Sequence, residues 1–246
     1  TRVAIGAYSN GYGISNSSRG HVRIYEYSNG SWLQLGSDID GEAKNNYFGT
    51  SVSFSSDGTT VAIGAKYNNG ANGGDSGHVR VYQYSGGSWT QLGSDIDGEA
   101  QYDQSGTSVS LSSDGSIVAI GAEGNDGNGS NSGHVRVYQY SGGSWTQLGD
   151  DINGESSGDR SGSSVSLNGD GTMVAIGAYN NDGNGADSGH VRVYQYSGNS
   201  WIQFGADIDG ENSGDWSGRY TSISNDGIRV AIGAQNNDGN GADSGH

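Results

Sequence analysis

Five histidines stand at positions 21, 78, 134, 190 and 246, and the first four each open the run His-Val-Arg. Imidazoles invite two readings, general acid–base transfer and zinc ligation. A catalytic centre needs one set of groups with different roles, whereas these recur in near-identical settings, which assigns them a structural duty. Two acidic patterns accompany them. The first is Asp-Ile-Asp-Gly-Glu, giving Asp38, Asp40 and Glu42; Asp95, Asp97 and Glu99; Asp207, Asp209 and Glu211; and, with one amide, Asp151, Asn153 and Glu155. On an extended segment these alternate residues face one way and repel unless a cation or backbone amides neutralise them; a solvated connection between units is the expectation. The second is the glycine-rich loop with Asp126 and Asn128, then Asp182, Asn184 and Asp187, then Asp238, Asn240 and Asp243. Calcium takes six to eight oxygen ligands, and glycines let carbonyls turn inward, so these loops are the candidate metal sites. The same residue types also make ordinary turns, and both readings stay open. Calcium is the single cofactor candidate; no organic cofactor is expected.

A third recurring group is aromatic. Trp32, Trp89, Trp145 and Trp201 occur in Ser-Trp-x-Gln, which places Gln91, Gln147 and Gln203 two residues beyond the last three. A ring that stacks on a sugar's C–H face, with amides and carboxylates for its hydroxyls, is a carbohydrate site. The alternative is that the indoles fill space between outer strands.

These groups keep a common beat. Val-Ala-Ile-Gly-Ala appears at 3–7, 61–65, 118–122, 174–178 and 230–234. Such self-similarity marks a repeat array with a unit of about 56 residues. The expected divisions are 1–49 (partial), 50–106, 107–162, 163–219 and 220–246 (partial). Within one unit, 107–112, 116–122, 134–140 and 144–149 alternate apolar and polar residues and are bounded by turn residues, so each reads as a short strand. Asp-Gly and Ser-Gly-Gly join neighbours as tight hairpins. One face carries Val118, Ile120 and Ala122, the other Ala119 and Gly121, so a bulky side can nest on the small side of the next copy. Repeated about an axis, that contact gives an all-β fold, a β-propeller of four-stranded antiparallel blades. In phase, the chain holds the last three strands of one unit, three whole units and two strands of another, so closure within the chain is not expected. A segment of a longer array, or a protomer completed by a neighbour through terminal strands, is the favoured arrangement, and the start on Thr1 fits a processed chain or a fragment.

Composition narrows the partners. A net charge of −16, from 27 acidic and 11 basic residues, repels phosphate backbones and anionic lipid, which argues against nucleic acid. No apolar run reaches membrane-spanning length, so no membrane insertion is expected. With no cysteine, neither disulfides nor thiolate sites arise. Sequons at Asn16, Asn29 and Asn128 are common triplets in a chain this rich in Asn, Gly and Ser.

The stretch FGTSVSFSSDGTTVAIGA (48–65), followed by GHVRVYQY (77–84), resembles the FG-GAP repeat of integrin α-subunit propellers and related proteins. Phe48-Gly49 carries the Phe-Gly once; elsewhere Ser105-Gly106, Ser161-Gly162 and Ser217-Gly218 take its place. The resemblance implies a secreted or cell-surface recognition module, with calcium bound between the first two strands of a blade. Here that hairpin is only Ser-Ser-Asp-Gly or Asn-Gly-Asp-Gly, too short to wrap a cation. The functional expectation is therefore non-catalytic adhesion or recognition, with glycans or extracellular proteins as partners and carbohydrate as the leading ligand. The alternative is a building block of an extracellular filament or coat that self-associates through its ends.

Overall fold

Alternation dictates the architecture seen in the computed structural model, which describes residues 1–10, 18–242 and 244–246; Asn16 and Asp243 therefore lie outside the described residues. A first sheet contains β1 (Arg2–Gly6), β2 (His21–Ser28), β3 (Ser31–Gln34) and the short β4 (Ile39–Asp40). Three complete blades follow. They are β5 (Ser51–Phe54), β6 (Thr60–Ala65), β7 (His78–Ser85), β8 (Ser88–Gln91) and β9 (Ile96–Asp97); then β10 (Ser105–Leu111), β11 (Ile117–Ala122), β12 (His134–Ser141), β13 (Ser144–Gln147) and β14 (Ile152–Asn153); then β15 (Ser164–Leu167), β16 (Met173–Ala178), β17 (His190–Ser197), β18 (Ser200–Gln203) and β19 (Ile208–Asp209). The pair β20 (Ser217–Ile223) and β21 (Val230–Ala234) begins a fifth blade. The strands pair antiparallel with their chain neighbours within each sheet, except that the short β4, β9, β14 and β19 pair with β2, β7, β12 and β17, and no helix occurs among the described residues. The fold is a β-propeller in which blades two to four are whole.

Hairpin chemistry is local. Between the third and fourth strands a two-residue loop places both central residues at positive φ, as at Gly142 (59°) and Gly143 (92°), the turn whose twist matches the flanking strands. The Asp-Gly hairpins instead engage the aspartate: Asp57 accepts from the Ser55 hydroxyl and from the Thr59 amide and hydroxyl, and Asp114 repeats this with Ser112 and Ser116. These carboxylates are closed inside their own turns, so the calcium place implied by the FG-GAP resemblance does not fit this chain.

Bulky faces nest on small ones. Val118, Ile120 and Tyr138 of the third blade form one core with Ala62, Val79 and Val81 of the second, and Val174, Ile176 and Tyr194 of the fourth repeat this with Ala119, Val135 and Val137. Burying each such side chain stabilises by about 1.5–3 kcal/mol. The innermost strands β5, β10, β15 and β20 line the axis side by side. Their free edges are served by serines of the preceding blade: Ser53, Ser110 and Ser166 hydroxyls accept from the amides of Leu111, Leu167 and Ile223. That accounts for the alternate serines of the first strand.

One expectation is corrected. The Asp-Ile-Asp-Gly-Glu segments are not merely solvated connections: Ile96–Asp97 pairs with the start of β7 through Val79 and His78, and Ile39, Ile96 and Ile152 are buried. Two residues are too few to show a period, but one buried isoleucine suffices to anchor the crossing. In addition, β10 starts at Ser105, ahead of residue 107, because a register shift between Ser105 and Ser108 lets it bend into the joint.

Close approach fixes the blade spacing. A Cβ added to Gly121 would lie 1.9 Å from the Gly162 carbonyl oxygen of the next blade. Gly121→Ala is therefore expected to lower stability by about 1–3 kcal/mol through overpacking. Gly142→Asn, at an open turn where the first blade already uses Asn29, should stay within about 0.5 kcal/mol of the parent. Urea unfolding of both variants checks the contrast, and equal stability would show that the blades can slide apart at no cost.

Candidate functional site

The indoles are drawn into the joints between blades. Trp89 Nε1 donates to the Leu35 carbonyl at 2.9 Å, Trp145 to Leu92 at 2.8 Å and Trp201 to Leu148 at 2.7 Å. Each ring also rests on the tyrosine paired with it, as Tyr140 and Trp145 do at 5.1 Å between centroids. Trp32, in the first sheet, is 49% exposed. The proposed sugar-stacking role of Trp89, Trp145 and Trp201 is thus corrected: their N–H groups and one ring face serve packing. The glutamines are engaged too, because Gln91, Gln147 and Gln203 donate to Asp95, Asp151 and Asp207 at 2.7, 2.7 and 2.6 Å.

The glycine-rich loops act as tethers. Asp126 accepts the Asn131 amide and Asp182 the Asp187 amide, while Asn128 and Asn184 turn their amide groups onto the carbonyls of Gly154 and Glu155, and of Gly210 and Glu211. Asp187 sits at φ 53°, a turn conformation. Asn240 begins the same pattern, its backbone amide donating to Ser244. Donors rather than oxygens are aimed at the neighbouring segment, so the arrangement corrects the calcium reading of Asn128 and Asn184 toward loop docking. Asp238 lies in the last copy of this loop.

What sequence reasoning did not single out is the axial channel. A cavity of about 550 Å³ opens between the inner strands, lined by Thr50 and Ser51, Thr107 and Ser108, Ser163 and Ser164, with Lys66, Glu123, Arg219 and Tyr220. The hydroxyl hydrogens of Ser51, Ser108 and Ser164 are donated to the carbonyls of Gly106, Gly162 and Gly218. Their oxygens therefore face the channel as acceptors. Lys66 pairs with the buried Glu123 at 3.3 Å, Arg219 lies 4.3 Å over the Tyr179 ring, and Tyr220 is 66% exposed. A signal was present: the residue after each Val-Ala-Ile-Gly-Ala varies, as Tyr8, Lys66, Glu123, Tyr179 and Gln235 in turn, and Lys66 and Glu123 of these line the channel.

The histidines gather carboxylates from two units. His78 Nδ1 lies 3.8 Å from Glu42 and 3.7 Å from Asp95, and His134 and His190 repeat this with Glu99 and Asp151, and with Glu155 and Asp207. Burial, aided by the adjacent arginine, holds all three imidazoles below their ordinary pKa. Burial alone would raise the Glu42 and Asp95 carboxyls; hydrogen bonds from Arg80 outweigh it and hold both below their ordinary values. At Glu99 burial wins over Arg136, and its carboxyl is raised.

Trp145→Phe keeps the ring but removes the bond to Leu92, and is expected to cost about 1 kcal/mol. Trp145→Ala should cost about 3 kcal/mol or more. Thermal melting checks both, and a neutral Trp145→Ala would return the indole to the list of free surfaces. For the loops, Asn184→Ala is expected to lower the melting temperature equally in calcium and in chelator. A calcium-dependent shift abolished by Asp182→Ala would instead assign a cation there.

The FG-GAP repeat family profile matches residues 95–138 and 153–194. No curated protein matches the chain. Among solved structures, a candidate 6-phosphogluconolactonase from Bacteroides uniformis superposes with a TM-score of 0.54 at 11% identity, over 89% of this chain and 53% of that one. The chain thus spans about half the length of that neighbour, and the likeness is one of fold. Repeated sheets and nested faces lead to one description: this chain is a β-propeller, two segments of which match the FG-GAP repeat.

Proposed function

We propose that the chain is a non-catalytic, extracellular recognition module that holds a carbohydrate in its axial channel. The observation that carries this reading is the channel's chemistry. Serine and threonine oxygens from successive blades present acceptors, Lys66 and Arg219 present donors, and Tyr220 presents an exposed ring. A polyol both donates and accepts at each hydroxyl and offers a C–H face, so it matches all three. FG-GAP repeats typically occur in secreted or surface proteins, which supports the compartment. The non-catalytic reading rests on the titratable groups recurring once per blade in equivalent settings.

A second reading, assembly through the ends, is favoured by a separate observation. Ile5 on the first sheet and Ile208 on the fourth are about half-exposed where inner blades bury the equivalent isoleucines, and Trp32 and Phe204 are exposed where the equivalent Trp and Leu residues are partly buried. One set is the bulky half of a joint and the other its small half, so a second copy could dock head to tail.

A glycan array with the parent chain, followed by titration of the best binder, tests the first reading. Tyr220→Ala is expected to weaken binding about tenfold, the ~1.4 kcal/mol of a lost ring contact, and Lys66→Ala to weaken it as well. Trp145→Phe should leave affinity unchanged. Binding insensitive to both channel variants, or none on the array, would overturn the reading. Mass measurement across concentration tests the second: association lost in Trp32→Ser supports it, and a monomer of 25.3 kDa at every concentration removes it.

A further inference from the structure

His190 is 1% exposed, and its Nδ1 has no hydrogen-bond partner. Three carboxylate oxygens face that nitrogen: Asp207 Oδ2 at 3.8 Å, Glu155 Oε2 at 3.9 Å and Asp209 Oδ1 at 4.0 Å. All are beyond hydrogen-bond reach, so none of them holds the ring. The groups come from two blades, since Glu155 lies in the segment leaving the third blade and Asp207 and Asp209 flank Ile208 of the fourth. Arg192 is the neighbouring cation. Its Nη1 stands 3.4 Å from Glu155 Oε1 and its Nη2 donates to the Asn153 carbonyl at 2.9 Å, while its Nε is buried without a partner. Three partly exposed carboxylates against one guanidinium leave an excess of two negative charges around a buried imidazole whose Nδ1 is unpartnered, an arrangement that a cation would neutralise.

We propose that this junction binds one divalent transition-metal ion of the zinc class, ligated by His190 Nδ1, Glu155 and Asp207, with Asp209 as a further oxygen. Zinc holds nitrogen and oxygen at about 2.0–2.2 Å, so two ligand atoms on one ion stand roughly 3.3–3.6 Å apart. The separations from His190 Nδ1 to the three oxygens, 3.8–4.0 Å, close to that by a few tenths of an ångström of side-chain movement. A nitrogen in the set disfavours calcium and magnesium, which prefer oxygen throughout. Gln203 Nε2 donates to Asp207 Oδ1 at 2.6 Å and leaves Oδ2 toward the histidine, the outer support that ligating carboxylates usually have.

The other joints show why this one is singled out. At the second blade Arg80 Nη2 bonds both Glu42 and Asp95, so a guanidinium already takes the cation's place. In the first sheet Asn10 Nδ2 lies 3.1 Å from His21 Nδ1 and supplies a partner. The third blade has His134, Glu99 and Asp151 but Asn153 where the fourth has Asp209, so it is a weaker copy with one negative charge fewer. Binding at His190 would tie the third blade to the fourth through Glu155.

The test uses the full chain, free of any added tag, stripped with chelator and dialysed. Zinc chloride is titrated by calorimetry, cobalt(II) is followed by its visible absorption, and imidazole nitrogen shifts are read from labelled histidine. One tight zinc equivalent is expected, with the largest shift at His190 Nδ1 and no competition from excess calcium. Glu155→Gln and Asp207→Asn replace partly exposed carboxylates with isosteric amides, and each should weaken zinc about tenfold or more while melting in chelator stays within a few degrees of the parent. Gln203→Leu should weaken it by about 10–100-fold. Absence of a tight equivalent, undiminished affinity in the Glu155→Gln, Asp207→Asn double variant, or displacement by equimolar calcium would each overturn the proposal.

Discussion

The carbonyl oxygens of Gly49, Gly106, Gly162 and Gly218 lie where a side chain would stand on Gly6, Gly64, Gly121 and Gly177, with an added Cβ only 1.9–2.1 Å away. In the last three joints a serine of the same blade as the acceptor glycine's partner strand donates to that oxygen, Ser51, Ser108 and Ser164 at 2.7–2.9 Å. This contact sets how near one inner strand comes to the next. Once it is fixed, the apolar faces meet at van der Waals distance, the indole reaches back to the preceding blade's carbonyl, and the His-Arg corner meets the carboxylates of the preceding unit. A side chain at the glycine would open all of these together, because they hang on one rigid sheet.

Because the contact recurs, identity and variation along the chain carry different information. Val-Ala-Ile-Gly-Ala is kept unchanged in all five copies, since every joint asks the same of it. Among the residues that line the channel, Ser51, Ser108 and Ser164 serve the joints and repeat, whereas Lys66 and Glu123, which follow Val-Ala-Ile-Gly-Ala, differ from blade to blade. The His-centred corners fall between these extremes. Their residue types repeat, yet a single change from Asn153 to Asp209, or the different reach of Arg80 and Arg192, gives each corner its own charge balance.

Legibility in the sequence followed the range of the interaction. Period-two alternation and Asp-Gly turns are local, and from residues such as Val118, Ile120, Asp114 and Gly115 they yielded the strands, the hairpins and the propeller. The indoles were equally visible, but their role was not, because the partner of Trp145 is a carbonyl at Leu92, 53 residues earlier. Glu42 and His78 likewise meet across a blade boundary, and the Ser51 and Ser164 hydroxyls reach a common channel only after three blades are stacked. The Ile96–Asp97 strand escaped for a different reason: two residues show no period, and only the pairing with β7 reveals them.

The two end faces extend the same logic. Gly233 is a glycine of the joint type, yet the nearest atom to a Cβ built there is the Tyr220 Cβ at 3.6 Å, so nothing in its surroundings excludes a side chain. Trp32 keeps the indole of the joint, and it is half-exposed beside Tyr27. Had these positions served only their own sheets, neither residue type would be required. The first sheet therefore presents the bulky half of a joint, and the fourth blade with β20 and β21 presents the small half. Under the end-to-end assembly proposed above, a further blade would meet each face with the joint geometry that Gly64, Gly121 and Gly177 already repeat inside the molecule.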